Sequence, residues 1–115
     1  MEFIPKFQIT LNGQYNFRLT STNGKVILSG QGYSSQEACR KGIKQVKENA
    51  PYDSRFERKT SDNKDHYYFI LKSANGEAVA QSELYYSHEA REEAIDEVCR
   101  TAPYSMVDYY TDFFY

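Results

Sequence analysis

Residues 15–52 read YNFRLTSTNGKVILSGQGYSSQEACRKGIKQVKENAPY, and residues 67–104 read YYFILKSANGEAVAQSELYYSHEAREEAIDEVCRTAPY. At an offset of 52, these two segments are identical at 15 of 38 positions, in order and without a gap. A repeat of this length is one supersecondary unit whose apolar face cannot be covered alone, so the two copies must pack on each other. The sequence therefore predicts a single domain, residues 1–115, built from repeats at about 3–53 and 54–108 and an aromatic tail at 109–115.

The first half of each copy is typical of an antiparallel meander. Apolar residues alternate with polar ones on both sides of Asn12-Gly13, a dipeptide that favours the positive φ values of a tight hairpin turn. A second such dipeptide, Asn23-Gly24, precedes a third apolar run. In the second copy, residues 60–66 contain about three inserted residues at the first hairpin, where a surface tip tolerates added length.

The second half of each copy has the spacing of an amphipathic helix. Ser35 is placed to cap its first amides, Glu37 lies in the first turn, and Pro51 ends it. The second copy repeats the cap, the acid and the stop at Ser87, Glu89 and Pro103. We therefore predict an α+β fold of two tandem β-β-β-α-β repeats. They form one antiparallel sheet with two helices on one face, related by a pseudo-two-fold axis, and Met106-Val107 is suited to a short last strand.

Composition and charge exclude several classes of protein. Hydrophobic residues make up 40% of the 115 residues and charged residues 26%, as in globular proteins. The formal net charge is only −2, so no global field draws the chain to nucleic acid or to anionic lipid. No apolar run approaches the roughly 20 residues that span a bilayer, and the N-terminal residues do not resemble a signal peptide. We expect a cytoplasmic protein without a membrane partner.

No catalytic or metal-binding constellation is visible. His66 falls in the inserted hairpin tip and His88 at the start of the second helix, and neither has a Cys or carboxylate at metal-ligand spacing that the equivalent position of the other copy shares. The two cysteines, Cys39 and Cys99, occupy non-equivalent positions of the repeat, which favours free thiols. An enzyme would have to assemble its site from distant residues, such as Cys39 with His88, but Cys39 also fits the apolar stripe of the first helix. We therefore predict a protein that is not an enzyme and needs no cofactor or metal.

A surface remains as the candidate for function. If the helices cover one face of the sheet, the opposite face is predicted to carry a set of basic, aromatic and aliphatic residues. Basic and aromatic side chains on an open sheet can contact phosphates and stack on bases, so single-stranded nucleic acid is one possible ligand. A half-solvated sheet face explains the same residues, and a protein or peptide partner is the favoured class. The predicted ligand surface consists of Arg18, Arg58, Tyr68, Ile70 and Lys72.

Several of these motifs resemble a known family. Phe17-Arg18-Leu19 leading to Asn23-Gly24, and Tyr68-Phe69-Ile70-Leu71-Lys72-Ser73-Ala74-Asn75-Gly76-Glu77 in the second copy, are similar to the YegP-like family of small bacterial proteins. The resemblance covers roughly residues 3–108. It implies repeats of three strands, a helix and a short strand, with the short last strands exchanged between copies that share one sheet. It implies no activity and therefore no functional residues.

The duplication also bears on the oligomeric state of the protein. Because each copy covers the apolar face of the other, we expect a monomer.

The tail, residues 109–115, holds five aromatic residues, which are too apolar to remain in water. We expect it to fold back over Tyr68 and Ile70 on the face that the helices leave open. The alternative is that it reaches across to a neighbouring molecule and makes a dimer.

Overall fold

The computed structural model describes residues 3–109. In chain order the elements are β1 (Lys6–Asn12), β2 (Gln14–Thr20), β3 (Val26–Tyr33), α1 (Gln36–Asn49), β4 (Phe56–Thr60), β5 (Tyr67–Lys72), β6 (Ala78–Ser82), α2 (His88–Thr101) and β7 (Met106–Tyr109). Short 3-10 turns, Asp53–Arg55 and Ala102–Tyr104, follow the two helices.

The strands form one sheet in the order β4-β5-β6-β3-β2-β1-β7. Each copy contributes an antiparallel meander, and the meanders join in the middle through antiparallel pairing of β3 with β6. Residues of both helices share one apolar cluster with the strands. The predicted α+β fold of two repeats with one sheet and two helices on one face is thus confirmed.

The last strand differs from the prediction in number and direction. Among residues 3–109, only the second copy supplies one: β7 crosses to the first copy and pairs parallel with β1, opposite Lys6–Ile9. In the first copy, the chain leaves the 3-10 turn Asp53–Arg55 and enters β4 directly at Phe56. This segment is used to start the second meander, so the described sheet has seven strands instead of eight.

Local sequence signals position these elements. Gly13 and Gly24 have φ values of 75° and 81°, as their hairpin turns require. The Ser35 hydroxyl accepts a hydrogen bond from the Ala38 amide at 3.0 Å, and Ser87 caps α2 in the same way, also at 3.0 Å. The two helices therefore start at the predicted residues because equivalent caps satisfy their first free amides.

The core lies between the helices and one face of the sheet. Its largest fully buried side chains include two pairs from equivalent strand positions of the two copies, Phe17 with Phe69 and Leu19 with Leu71. The Phe17 ring packs directly over Gly30, leaving no room for a Cβ atom there. Because both copies contribute to one cluster, neither meander has a core of its own.

Candidate binding surface on the open sheet face

The strand registers place one row of side chains across the face that the helices leave uncovered, which we call the open face. Residues paired across neighbouring strands point to the same side of a sheet, so the row can be followed from edge to edge. At about 4.8 Å between strands, it extends roughly 29 Å. The row consists of Asp108, Gln8, Arg18, Ser29, Gln81, Ile70 and Glu57.

The predicted surface residues are distributed over both faces of the sheet. Tyr68, Ile70 and Lys72 lie on β5 and face away from the helices, because Phe69 and Leu71 between them are fully buried. Arg18 also lies on the open face, where its Nε donates to the Gln8 side chain at 2.8 Å. It is three strands from Ile70, or roughly 14 Å. The structure therefore does not bring these four side chains into one compact patch.

The prediction that Arg58 belongs to this surface is wrong. Arg58 pairs with Phe69 and follows the buried Phe56 by two residues, so all three point to the helix side of the sheet. Its guanidinium donates to Glu92 on α2 at 3.0 Å and to Asp53 at 2.8 Å. Partial burial raises the pKa of Glu92, but hydrogen bonds from Arg58 and Arg91 outweigh that effect and hold it below its ordinary value.

Ion pairs offset much of the positive charge on the open face. The Lys72 ammonium lies 2.9 Å from the Glu57 carboxylate, and the Lys6 ammonium lies 3.1 Å from Asp108. The hydrogen bond from Lys72 lowers the pKa of Glu57, so this carboxylate is ionised at neutral pH. Phosphate groups would therefore have to compete with carboxylates that are already in place.

A cleft of about 830 Å³ opens at the β7 end of the open face. The segment before β1 forms one wall with the exposed side chains of Phe3 and Ile4, and Met106 of β7, 72% exposed, forms another. Arg18 and the Lys6–Asp108 pair supply polar groups in the same cleft. Exposed apolar side chains bordered by charged ones are typical of a protein or peptide contact.

Sequence reasoning missed this cleft because its apolar residues come from opposite ends of the chain. Phe3 and Ile4 precede the repeat, and Met106 follows it, so no repeat counterpart drew attention to them. Only the parallel pairing of β7 with β1 brings the two ends together, with Met106 opposite Lys6. The exchange of last strands that the family resemblance implies was the one available signal.

Titratable side chains do not assemble into a reactive site in the part of the chain that the structure describes. Cys39 is fully buried in the core, and burial raises the pKa of its thiol to about 11. His88 lies exposed at the start of α2. The ring centroids of His66 and Tyr86 are 5.1 Å apart. Burial also raises the pKa of Tyr85 to about 12. Among residues 3–109, no three His, Cys, Asp or Glu side chains are grouped as a metal site requires.

The helices and the aromatic tail were both the subject of predictions from the sequence. Within residues 3–109, neither helix is both long and apolar enough to cross a bilayer. The predicted docking of residues 109–115 over Tyr68 and Ile70 falls almost entirely outside the described residues. Tyr109, at the end of β7, is the last of them, and β7 lies five strand positions from β5.

Comparison with known proteins shows which family and which relatives the chain is similar to. The family model described as domain of unknown function (DUF1508) matches twice, at residues 11–57 and 62–108. The UPF0339 protein in the ptx operon 5′ region of Stutzerimonas stutzeri is 40% identical over 95 residues, covering 83% of this chain and 85% of its own. The UPF0339 protein YegP of Escherichia coli K12 is 37% identical over 87 residues, covering 76% and 78%.

Solved structures agree with this relationship. The solution NMR structure of Escherichia coli yegP, described as a protein of unknown function, matches with a TM-score of 0.87 at 30% identity, over 99% of both chains. The UPF0339 protein SO3888 of Shewanella oneidensis matches with a TM-score of 0.86 at 27% identity, over 95% of this chain and 93% of its own. With two matching domains, the same fold and close relatives along most of its length, the chain belongs to the uncharacterised UPF0339 family of YegP-like proteins.

Proposed function

We propose that this protein is a non-enzymatic binding module that takes a protein or peptide partner on its open sheet face. The observation that supports this best is the cleft in which Phe3, Ile4 and Met106 are exposed beside the Lys6–Asp108 ion pair. Large apolar side chains cost free energy in water, and a partner that covers them recovers it at roughly 25 cal/mol per Å². The partner is therefore a segment with an apolar anchor residue that enters this cleft.

Single-stranded nucleic acid is the alternative ligand, and the arrangement of charges disfavours it. Arg58 lies on the helix side, and Lys72 and Lys6 are paired with carboxylates. Arg18 and Tyr68, which also belong to the predicted surface, lie on strands β2 and β5, with two strands between them. Phosphate contact and base stacking normally act together along one groove.

Catalysis through Cys39 is disfavoured for a different reason. A thiol acts as a nucleophile only as the thiolate, and burial has raised the pKa of Cys39 far above neutrality. No solvent reaches its side chain, which is 0% exposed. A substrate would have to open the core to reach the sulfur.

The test is a selection of peptides from a displayed library on the intact protein, followed by titration of the selected peptides. Met106→Glu places a charge in the cleft, and we expect it to weaken binding by about tenfold or more, as expected for an anchor position. Leu84→Glu is the matched control, because Leu84 is also exposed but lies on the loop before α2. Backbone amide shifts of residues 3–8 and 106–108 should move when peptide is added.

Two outcomes would contradict the proposal. One is a set of selected peptides whose affinity is unchanged by Met106→Glu. The other is tight binding of a labelled oligothymidine that weakens with salt and with Tyr68→Ala, which would move the assignment to single-stranded nucleic acid.

A further inference from the structure

The two helices carry net charges of opposite sign. α1 holds four basic and two acidic side chains, whereas α2 holds two basic and five acidic ones. At the offset of 52, Lys41 corresponds to Glu93 and Lys44 corresponds to Asp96. All four side chains are exposed. The net charge of the helix is thus inverted between the two copies.

From this inversion we propose that a second copy of the chain docks on the helix layer, α1 of each molecule against α2 of the other. This surface lies on the opposite side of the sheet from the proposed peptide cleft and does not depend on it. Both helices lie on one face of the sheet and run antiparallel, since the pseudo-two-fold relates them. A single molecule therefore presents a basic and an acidic helix on the same face of the sheet.

Symmetry decides which pairing forms. A molecular two-fold axis parallel to the helices stacks α1 over the partner's α2 and α2 over the partner's α1, so both contacts join unlike charges. A two-fold axis parallel to the sheet but perpendicular to the helices would instead stack α1 over the partner's α1 and α2 over the partner's α2, so like charges would meet. Complementary charge thus favours one orientation and disfavours the other, which is how charged surfaces confer specificity.

The helix layer also offers apolar contact. The turn Ala102–Tyr104 packs against both helices, and Tyr104 is 86% exposed. Tyr52, which occupies the equivalent position of the first copy, is 53% exposed. An exposed aromatic ring with a polar tip is a residue type enriched in protein interfaces. Because each molecule already has a complete core, the association is between folded monomers and is reversible.

Sedimentation equilibrium tests the proposal on the intact protein. We expect the average mass to rise with concentration, up to about 0.5 mM, in about 20 mM salt and to remain monomeric in about 0.5 M salt, where charges are screened within a few ångströms. K41E/K44E makes both helices acidic, and E93K/D96K makes both basic. Each variant alone should be monomeric, whereas an equimolar mixture should form a heterodimer. The fourfold variant, with the charges exchanged, should associate like the wild type.

The control is K59E/K64E, which has the same net charge as K41E/K44E but changes Lys59 on the open face of β4 and Lys64 in the turn before β5. It should associate like the wild type, because an effect of net charge alone would act on both variants equally. Circular dichroism confirms that each variant folds. A wild type that stays monomeric in low salt, a mixture of the two variants that stays monomeric, or association that survives K41E/K44E would overturn the proposal.

Discussion

Ser29 and Gln81 are opposite each other in the sheet and are also the same position in the two copies. Ser29 on β3 pairs with Gln81 on β6, and the offset between them is the repeat offset of 52. The pseudo-two-fold axis therefore passes between these two side chains on the open face. Outward from them, Arg18 corresponds to Ile70 and Gln8 to Glu57.

This relationship explains why the open face is not a duplicated site. Across the axis, the charged Arg18 is matched by the aliphatic Ile70, and Gln8 by the acidic Glu57. Fully buried positions in the central strands instead keep the same character, as Phe17 and Phe69 do. Packing requires the core positions to remain similar, and the solvent-facing positions have diverged into different surfaces.

Replacing Gly30 by Ala should destabilise the fold. A Cβ atom at this position would clash with the fully buried Phe17 ring. The centroid of that ring lies 6.1 Å from the centroid of the Phe7 ring and 5.9 Å from that of the Tyr33 ring. Because the ring cannot move freely, we expect a loss of about 1–3 kcal/mol in the free energy of unfolding. Urea denaturation measures it. Gly76→Ala is not a suitable control, because the φ of 87° at Gly76 would itself strain an alanine. A stability equal to wild type for Gly30→Ala would contradict this packing.

Glu92→Ala should cost more stability than Asp96→Ala on the same helix. Arg91 is buried, with its Nε 3.0 Å from the Glu92 carboxylate, and removing that partner leaves a poorly paired buried charge. We expect a loss of about 1–3 kcal/mol. The Asp96–Arg100 pair is exposed, so its loss should cost less than about 0.5 kcal/mol. Equal unfolding free energies for the two variants would count against a structural role for Glu92.

Stability should fall in acid partly through Glu92 and Glu57. Their pKa values are lower in the folded state than the ordinary value of 4.5, so the native protein holds fewer protons on them than the unfolded chain does. Their contribution is complete above that ordinary value and is lost as the pH falls through the lowered folded-state pKa. Urea midpoints measured from about pH 6 to about pH 3 should drop less steeply in Glu92→Gln. An identical slope in the variant would show that Glu92 is not coupled to folding.

Cys39 and Cys99 should differ strongly in reactivity toward a thiol reagent. Cys39 is fully buried with its pKa raised to about 11, whereas Cys99 is partly exposed and its Sγ lies 3.7 Å from the Pro51 carbonyl. We expect one thiol to react readily in the native protein and the second only after unfolding. Cys99→Ser should leave no fast phase. A fast phase that persists in Cys99→Ser would show that Cys39 is accessible.

Arg58→Ile should make the β4 edge of the sheet prone to association. No described strand pairs with the outer side of β4, and Arg58 corresponds to Ile9, which β7 covers in the first copy. A charged edge resists pairing with other chains, and an apolar edge invites it. Light scattering of Arg58→Ile should therefore increase with concentration, whereas Arg58→Lys should not aggregate. A variant that remains monodisperse would mean that strand length alone protects this edge.

Much of the fold could be predicted from the residues themselves. The Asn-Gly turns, the caps Ser35 and Ser87 and the stops at Pro51 and Pro103 are local signals, and each acts within a few residues of where it stands. The period of two in the strands also assigned Phe17 and Leu19 to the core. The error at Arg58 was one of phase: the same period, counted from Phe56, places Arg58 on the helix side.

The candidate site was less accessible to such reasoning. Neither Phe3 nor Ile4 nor Met106 belongs to a repeated pattern, and their position around one cleft depends on pairing between residues about 100 positions apart. The same holds for the partners of Lys72 and Lys6, which no local pattern reveals.

The sequence by itself determined the duplicated meander and helix, the positions of their ends and the apolar faces that join them, because these follow from backbone propensity, capping and hydrophobic periodicity over short distances. Only the tertiary structure decided that β7 crosses to β1 in parallel and that β4 is an edge of the sheet formed by residues 3–109. It alone also decided which lysines meet carboxylates and which exposed side chains share a cleft. Those outcomes depend on the three-dimensional arrangement of distant segments, where register and packing geometry choose among pairings that local preferences leave equally open.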